Sequence, residues 1–563
     1  MTASPAPSAA AVPGVAATGL PVHHSIVDGA DVPGRAGLRS AIDPRNGEPF
    51  ALASVLDAEQ ARAALDAARR AFPAWSAASF AERGRVLLRV RDALVRQADE
   101  AARLIEREQG KPAVEAHAAE VLPCLEALKH LARHAEELLR EDLLESQLVL
   151  LAHKECRLAY APIGVVLVIS PWNYPLGIPL IGVATALAAG NTVVLKPAPA
   201  ATLVGLRIGA LFREAGLPAG GLNVLAVEDA VAAELVEDPR VGKIVFTGST
   251  ATGRKVMAGA AKNVTPVVLE LGGKDPAVVC RDADLDRASK GIVWGAFMNA
   301  GQTCASVERV YVEEPVADAF VAKVVEETRR LRYGYGPSGE VDVGPLTLER
   351  QRRVVEEHVA DALAKGAKTL TGGARPEGPG FHYPPTVLVD VDHSMRVMRE
   401  ETFGPLLAIM RVPDLDEAVR LANDSEYGLT ASAWTRSPER ARQLQERLAA
   451  GVVSVNDCLS SFGEPTAPWG GVKASGIGRS HGLLGLREMV QPKYVSRDRP
   501  GGELLWWYPY DGDLARIMKA APRALHARSL ASRVAANLGL LRVRRFLARV
   551  RIVDMLLNLD RLF

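Results

Sequence analysis

The chain has 563 residues, 48% of them apolar, enough to bury large cores in two or three domains. Lys and Arg number 67 against 66 Asp and Glu, a balance that gives no electrostatic footing for nucleic acid. The five cysteines are scattered with no C-x-x-C pair, so neither a disulfide framework nor a metal site is expected, and a reducing, cytoplasmic setting fits.

Residues 1–35 begin with Ala, Pro, Ser, Gly and Val and lack the basic start and apolar run of a signal peptide, so they are expected to form a disordered arm. Asp57 to Phe72 has helical spacing, with Asp57 as N-cap and Gln60 three residues on. Ala81 to Arg107 and Val114 to Leu144 read as long helices, and Leu148 to Leu158 and Ile163 to Ser170 as strands. Ala161 to Leu195 carries no charge, but Pro171, Pro175 and Pro179 interrupt it, which favours a buried strand, turn and helix over a membrane span. Strands at Thr192–Lys196, Asn223–Val227, Lys243–Thr247 and Val267–Glu270 then alternate with helices at Leu203–Ala215, Val231–Glu237 and Thr252–Ala261. That alternation predicts a parallel sheet wrapped by helices, and a second such series runs from Leu285 to Asn456.

Five segments carry chemistry. Cys304 stands among small and polar residues in Asn-Ala-Gly-Gln-Thr-Cys-Ala-Ser, and a thiolate is a strong nucleophile at neutral pH. Glu270, in Leu-Glu-Leu-Gly-Gly, could activate water to cleave a thioester. Asn173, in Ser-Pro-Trp-Asn-Tyr-Pro, is an uncharged amide donor in a rigid turn, suited to an oxyanion. Phe246-Thr247-Gly248-Ser249 leads into a helix whose free amides attract phosphate, yet Arg254 and Lys255 stand where a P-loop needs Lys and Ser or Thr. Glu400-Glu401-Thr402-Phe403-Gly404-Pro405 alone would read as an acidic turn before a strand.

Together, and with Pro468-Trp469-Gly470-Gly471, these segments resemble the aldehyde dehydrogenase superfamily over roughly Asp43 to Tyr494. The resemblance implies an α/β fold of two Rossmann-like parallel-sheet domains and a small β arm used in oligomerisation. It implies a coenzyme-binding domain over 36–145 and 164–272, a catalytic domain over 273–487, and the arm over 146–163 and 488–500. It implies NAD or NADP as coenzyme, held by Trp172, Lys196, Gly248, Ser249, Gly253, Leu271, Glu401 and Phe403. Cys304 is then the nucleophile, Asn173 and the Cys304 amide the oxyanion donors, and Glu270 the hydrolytic base. A relative that passes its acyl group to CoA generally lacks this glutamate. Tyr174, Gly177, Ile181, Phe462 and Trp469 would line the substrate channel, and their apolar character points to hydrophobic aliphatic or aromatic aldehydes. Pro199 stands where NAD-strict members carry Glu, and Val227–Ala232 lacks the family's glycine-bearing segment, so NAD and NADP are both expected to be accepted. A homodimer or larger homo-oligomer is implied.

Residues 501–563 exceed what the family's core needs. Arginines such as Arg528, Arg533, Arg542 and Arg549 alternate with Val534, Leu538, Leu541 and Val550, the pattern of a basic amphipathic helix. Such a helix docks either on the enzyme or, with Trp506, Trp507 and Tyr508, peripherally on an anionic membrane surface.

Overall fold

The computed structural model describes residues 19–146, 154–337, 339–498 and 507–541. The chain divides into two compact units, Met1–Leu138 with Pro162–Val490, and Leu139–Ala161 with Gln491–Phe563.

In the first unit, five parallel strands form the middle of an eight-stranded sheet. In spatial order they are Val267–Glu270, Val241–Thr247, Val165–Ile169, Thr192–Lys196 and Leu222–Val224. Read in chain order this is 3-2-1-4-5 from the far edge, a doubly wound topology. The order reverses between Val165–Ile169 and Val241–Thr247, and the carboxyl ends of strands at such a reversal open a ligand crevice. Val165–Ile169 and Thr192–Lys196 are buried along their whole length, which is why the first is wholly apolar and the second is apolar between Thr192 and Lys196. The uncharged stretch resolves into these two strands flanking the helix Gly177–Ala188. Among the described residues no helix is long and apolar enough to cross a membrane.

A seven-stranded sheet follows, with Asp275–Val279 central between Val307–Glu313 and Thr430–Trp434. Its core includes Phe297, Phe320, Tyr311 and Trp434, all buried. Gly476–Ile477, assigned from sequence to the domain of this second sheet, instead returns to pair antiparallel with Leu269 and Glu270 at the edge of the first.

Local signals set several boundaries. Asp57 and Gln60 form a reciprocal capping box at the start of Ala58–Ala77. Other expectations need correction. The proposed arm over 1–35 holds strands from residue 22 onward. Ser25–Val27 and Ala30–Val32 make a hairpin around Asp28 and Gly29, both with positive φ, and Ile26 is buried opposite Val224. The single helix expected over 81–107 breaks at Gln97 into Phe80–Arg96 and Ala98–Gln109. The one expected over 114–144 contains a π turn, His117–Val121, and ends at Leu138. Asp142–Leu144 is a strand because it pairs antiparallel with Cys156–Leu158, a tertiary contact that overrides helical composition.

In the second unit, Asp142–Leu144, Lys154–Pro162 and Val490–Asp498 form a three-stranded sheet with Val490–Asp498 at one edge. Part of the strand expected at 148–158 lies outside the described residues. The helices Gly512–His526 and Leu530–Leu541 pack through Leu514, Ile517, Ala524 and Leu540. Trp506 and the basic stripe from Arg542 onward lie outside the described residues.

Candidate active site

Cys304 follows the helix Leu285–Phe297, whose N-terminus Asp284 caps. The chain then makes a left-handed turn through Asn299, Ala300 and Gly301, with φ of 56°, 53° and 71°. At Gly301 a side chain would also strike the Gly404 carbonyl, within 2.1 Å of an added Cβ. This strained loop is pinned from within, as buried turns of this kind must be. Asn299 Nδ2 donates to the carbonyls of Asn173 at 2.9 Å and Gln302 at 3.1 Å, and Gln302 Oε1 accepts from the Thr347 amide at 2.9 Å.

Asn173 lies just beyond the strand Val165–Ile169, at the mouth of the crevice, and is 3% exposed. Its Nδ2 donates to the Gln302 carbonyl at 2.9 Å, leaving the amide's second N–H for another acceptor. Its own carbonyl accepts from Lys111 Nζ at 2.9 Å. Lys111 is fully buried and pairs with Glu120 at 2.5 Å, and Glu120 accepts in turn from the amides of Leu176 and Gly177 at 2.8 and 3.1 Å. The π turn carries Glu120 on a fully buried face, and such turns recur at functional sites. Lys111 and Glu120 were not singled out from sequence, since only the fold brings them under Asn173.

Glu270 ends the strand Val267–Glu270 and is 6% exposed. Burial pushes its carboxyl up to about 8, against the weaker pull of Arg479 and Ser480. It shares a cavity of about 50 Å³ with Cys304, Leu271, Trp469 and His481. Burial, followed by the carboxyls of Asp275, Glu401 and Glu270, pushes the Cys304 thiol far above its ordinary value. The arrangement thus holds a thiol and a carboxyl on one cavity, both pushed by burial toward their neutral forms.

A second cavity of about 240 Å³ opens over Cys304. Tyr174, Phe462 and Trp469 line it as expected, with Trp469 edge-on to Phe462 at 5.3 Å and the Tyr174 hydroxyl 2.8 Å from Thr303 Oγ1. Two expected channel residues do not line it. Gly177 is drawn inward by the bond from its amide to Glu120, and Ile181 faces the smaller cavity behind Glu270. Val114, Glu115, Trp294 and Met298 do line it and were missed. Glu115 is the one charged side chain among the described lining residues; burial pushes it up to about 7, and its Oε2 accepts from the Asn299 amide at 2.9 Å.

Of the residues expected to hold coenzyme, most follow the strands of the first sheet, while Glu401 and Phe403 lie in the turn before the second sheet's strand Leu406–Val412. Ser249 caps the helix Thr250–Ala260, and Gly253 lies so close to Leu271 that an added Cβ would come within 2.5 Å. Lys196, the last residue of its strand, donates to Asp229 Oδ1 at 2.9 Å. Glu401 accepts from the Gly273 amide at 3.0 Å, and burial, helped by Glu308, pushes it up to about 8. Phe403, with φ of 52°, meets Trp172 edge-on at 5.5 Å. Amides at a helix start suit phosphate and carboxylates suit ribose hydroxyls, so these residues fit a dinucleotide.

Known proteins agree with this geometry. The model of the aldehyde dehydrogenase family matches residues 34–495. A succinate-semialdehyde dehydrogenase [NADP(+)] of Escherichia coli is 39% identical over 454 residues, 80% of this chain and 93% of its own. A 4,4'-diapolycopene aldehyde oxidase of a Methylomonas species is 40% identical over 448 residues, 79% of this chain and 83% of its own. The crystal structure of betaine aldehyde dehydrogenase from Staphylococcus aureus in complex with NAD+ superposes with a TM-score of 0.81 at 31% identity, covering 86% of this chain and 97% of that one. On sequence and architecture alike, the chain belongs to the aldehyde dehydrogenase family, as an enzyme that uses NAD or NADP.

Proposed function

We propose that this enzyme oxidises hydrophobic aliphatic or aromatic aldehydes to carboxylic acids through a thioester on Cys304. The observation that carries this reading is the apolar funnel lined in part by Cys304, with Glu270 on the smaller cavity that Cys304 also lines and Asn173 bonded to the Gln302 carbonyl two residues before the cysteine. Cys304 Sγ adds to the aldehyde carbon. The free N–H of Asn173 and the Cys304 amide hold the oxygen as it gains charge, at no reorganisation cost because Asn173 is already fixed by Lys111, Asn299 and Gln302. NAD or NADP, when bound by Lys196, the Ser249–Gly253 turn, Glu401 and Phe403, supplies the hydride acceptor. Glu270 then takes a proton from the water that cleaves the thioester, which releases the acid and restores the thiol.

The funnel's lining speaks to substrate. It offers no Lys or Arg to a carboxylate-tailed aldehyde among its described residues. Glu115 with Trp294, Tyr174 and Trp469 favours a cationic aldehyde as the second reading. Burial holds Glu115 near neutrality, which supports the uncharged substrate over it. Steady-state rates across straight-chain aldehydes, with betaine aldehyde and succinate semialdehyde alongside, are the test. Each added methylene should raise kcat/KM roughly fourfold until the funnel is filled, from about 0.8 kcal/mol per buried CH₂. A flat or falling series, or faster oxidation of either charged aldehyde, overturns the hydrophobic reading.

We further propose that the sheet of the second unit serves oligomerisation. The extension after residue 501 is proposed to make a peripheral contact with anionic membrane surfaces. That reading is supported by Leu530, Val534 and Leu538, which are exposed along one face of Leu530–Leu541, and by exposed Trp507 and Tyr508.

A further inference from the structure

Asp229 opens the helix Asp229–Val236, which follows the strand Leu222–Val224. Lys196 closes the neighbouring parallel strand. The two side chains meet at 2.9 Å, with Lys196 only 6% exposed and Asp229 86% exposed. The lysine is thus part of the crevice floor, and the carboxylate stands over it, open to whatever enters. We propose that Asp229 selects between the coenzymes, accepting the hydroxyls of the adenosine ribose in NAD and repelling the 2′-phosphate of NADP. This rests on the proposed function, in which Lys196 helps hold the coenzyme, and places Lys196 at that ribose.

Three arguments carry it. The pair stands at the carboxyl edge of a doubly wound sheet, Lys196 on the end of the second strand and Asp229 at the head of the helix after the third, an edge where ribose-binding acids are placed for geometric reasons. An ion pair with one partner so exposed adds little to stability, so the fold does not need it, and Asp229 is free to trade a bond to Lys196 for bonds to a diol. A carboxylate has two oxygens that only accept, which suits two hydroxyl donors and opposes a phosphate dianion at the same spot. The surrounding cations do not cancel this. Arg39, itself bonded to Glu228 at 2.6 Å and the Val227 carbonyl at 3.2 Å, and Arg350 after it, act on Asp229 through their field alone, behind the bonded Lys196.

Pro199 alone predicts that NADP is accepted along with NAD. Asp229 reverses that expectation, because it returns a carboxylate to Lys196 from the next strand's helix. The acid was visible in Val-Glu-Asp-Ala, but nothing in the sequence said that it would reach Lys196.

The test is equilibrium binding of NAD and NADP to the full-length enzyme by isothermal titration calorimetry, for wild type, Asp229→Ser, Asp229→Asn and Lys196→Gln. Wild type should bind NAD at least tenfold more tightly than NADP. Both Asp229 variants should shrink that ratio tenfold or more, chiefly by tightening NADP, and Asn does so while keeping the side chain's shape. Lys196→Gln should weaken both coenzymes. An unchanged ratio in both Asp229 variants, with both coenzymes weakened by Lys196→Gln, overturns the selector and leaves the placement of the ribose intact. Undiminished binding of both coenzymes by Lys196→Gln overturns the placement itself, and the selector with it.

Discussion

Substitution of Glu270 by glutamine sets stability against turnover, and the structure gives the size of the first effect. The folded carboxyl ionises near pH 8 and the unfolded one near its ordinary value of 4.5. A raised acid leaves folding unpenalised below pH 4.5. As pH rises from there the unfolded chain releases its proton first, and wild-type stability falls by up to about 1.4 kcal/mol per pH unit until the folded carboxyl also ionises above pH 8. Between pH 5 and pH 8 the loss comes to about 3.5 kcal/mol. Glutamine is neutral throughout, so the variant should match wild type at pH 5 and exceed it by about 3.5 kcal/mol at pH 8, as read by urea unfolding. Comparison with wild type at each pH cancels the other buried acids raised to about 8, Glu108, Asp275 and Glu401. The variant should still form NAD(P)H in a first burst, because Cys304 and Asn173 are untouched. Its later turnover should fall by roughly 10²–10⁴, the usual worth of a positioned general base. Wild-type steady turnover should climb toward pH 8, and that rise should vanish in the variant. Stopped-flow absorbance separates burst from steady rate. Steady turnover equal to wild type, or a stability gap that does not widen with pH, refutes the reasoning.

Two further outcomes bear on the scaffold. Lys111→Met leaves Glu120 buried without its partner and should cost about 3–5 kcal/mol in unfolding free energy; it should lower kcat more than it changes KM, because Asn173 loses its anchor, and an unchanged kcat in folded protein defeats the positioning role. The edge strand Val490–Asp498 is largely exposed, so light scattering should find a dimer or larger species at micromolar concentration, and a stable monomer counts against the arm. In the same preparation, anionic vesicles should sediment the full chain and not one ending at Pro500. Equal recovery in the supernatant removes the membrane reading.

What the sequence made legible was what depends on near neighbours. The capping box of Asp57 and Gln60 spans one turn, and the strands from 165 to 270 declare themselves by apolar runs set between helices. The nucleophile loop was legible because its residue types are unusual together. The hairpin at residues 25–32 was missed although Asp28-Gly29 is a strong turn signal, because the strands beside it are short and one is mostly exposed. The break at Gln97 and the π turn before Leu122 left no trace in the helical pattern, since both flanks continue it.

The site's supporting residues were illegible for a different reason. Glu115, Glu120 and Lys111 are ordinary helix-region residues until the loop bearing Asn299 and the turn bearing Asn173 close over them. Asp229 was read as the absence of a glycine, and its meaning appeared only when the sheet placed it beside Lys196. The same holds for reactivity. Glu270 is proposed as the hydrolytic base from its residue type and setting in the sequence, but the pH at which it can act is fixed by the cavity it shares with Cys304 and Trp469. Burial that keeps the carboxyl protonated also keeps the thiol protonated, and ionisation of Glu270 makes ionisation of Cys304 harder still. Positive charge entering the crevice would ease both ionisations at once. An anionic group reaching Cys304 would ease neither, which is the electrostatic side of the proposal that uncharged aldehydes are preferred to carboxylate-tailed ones.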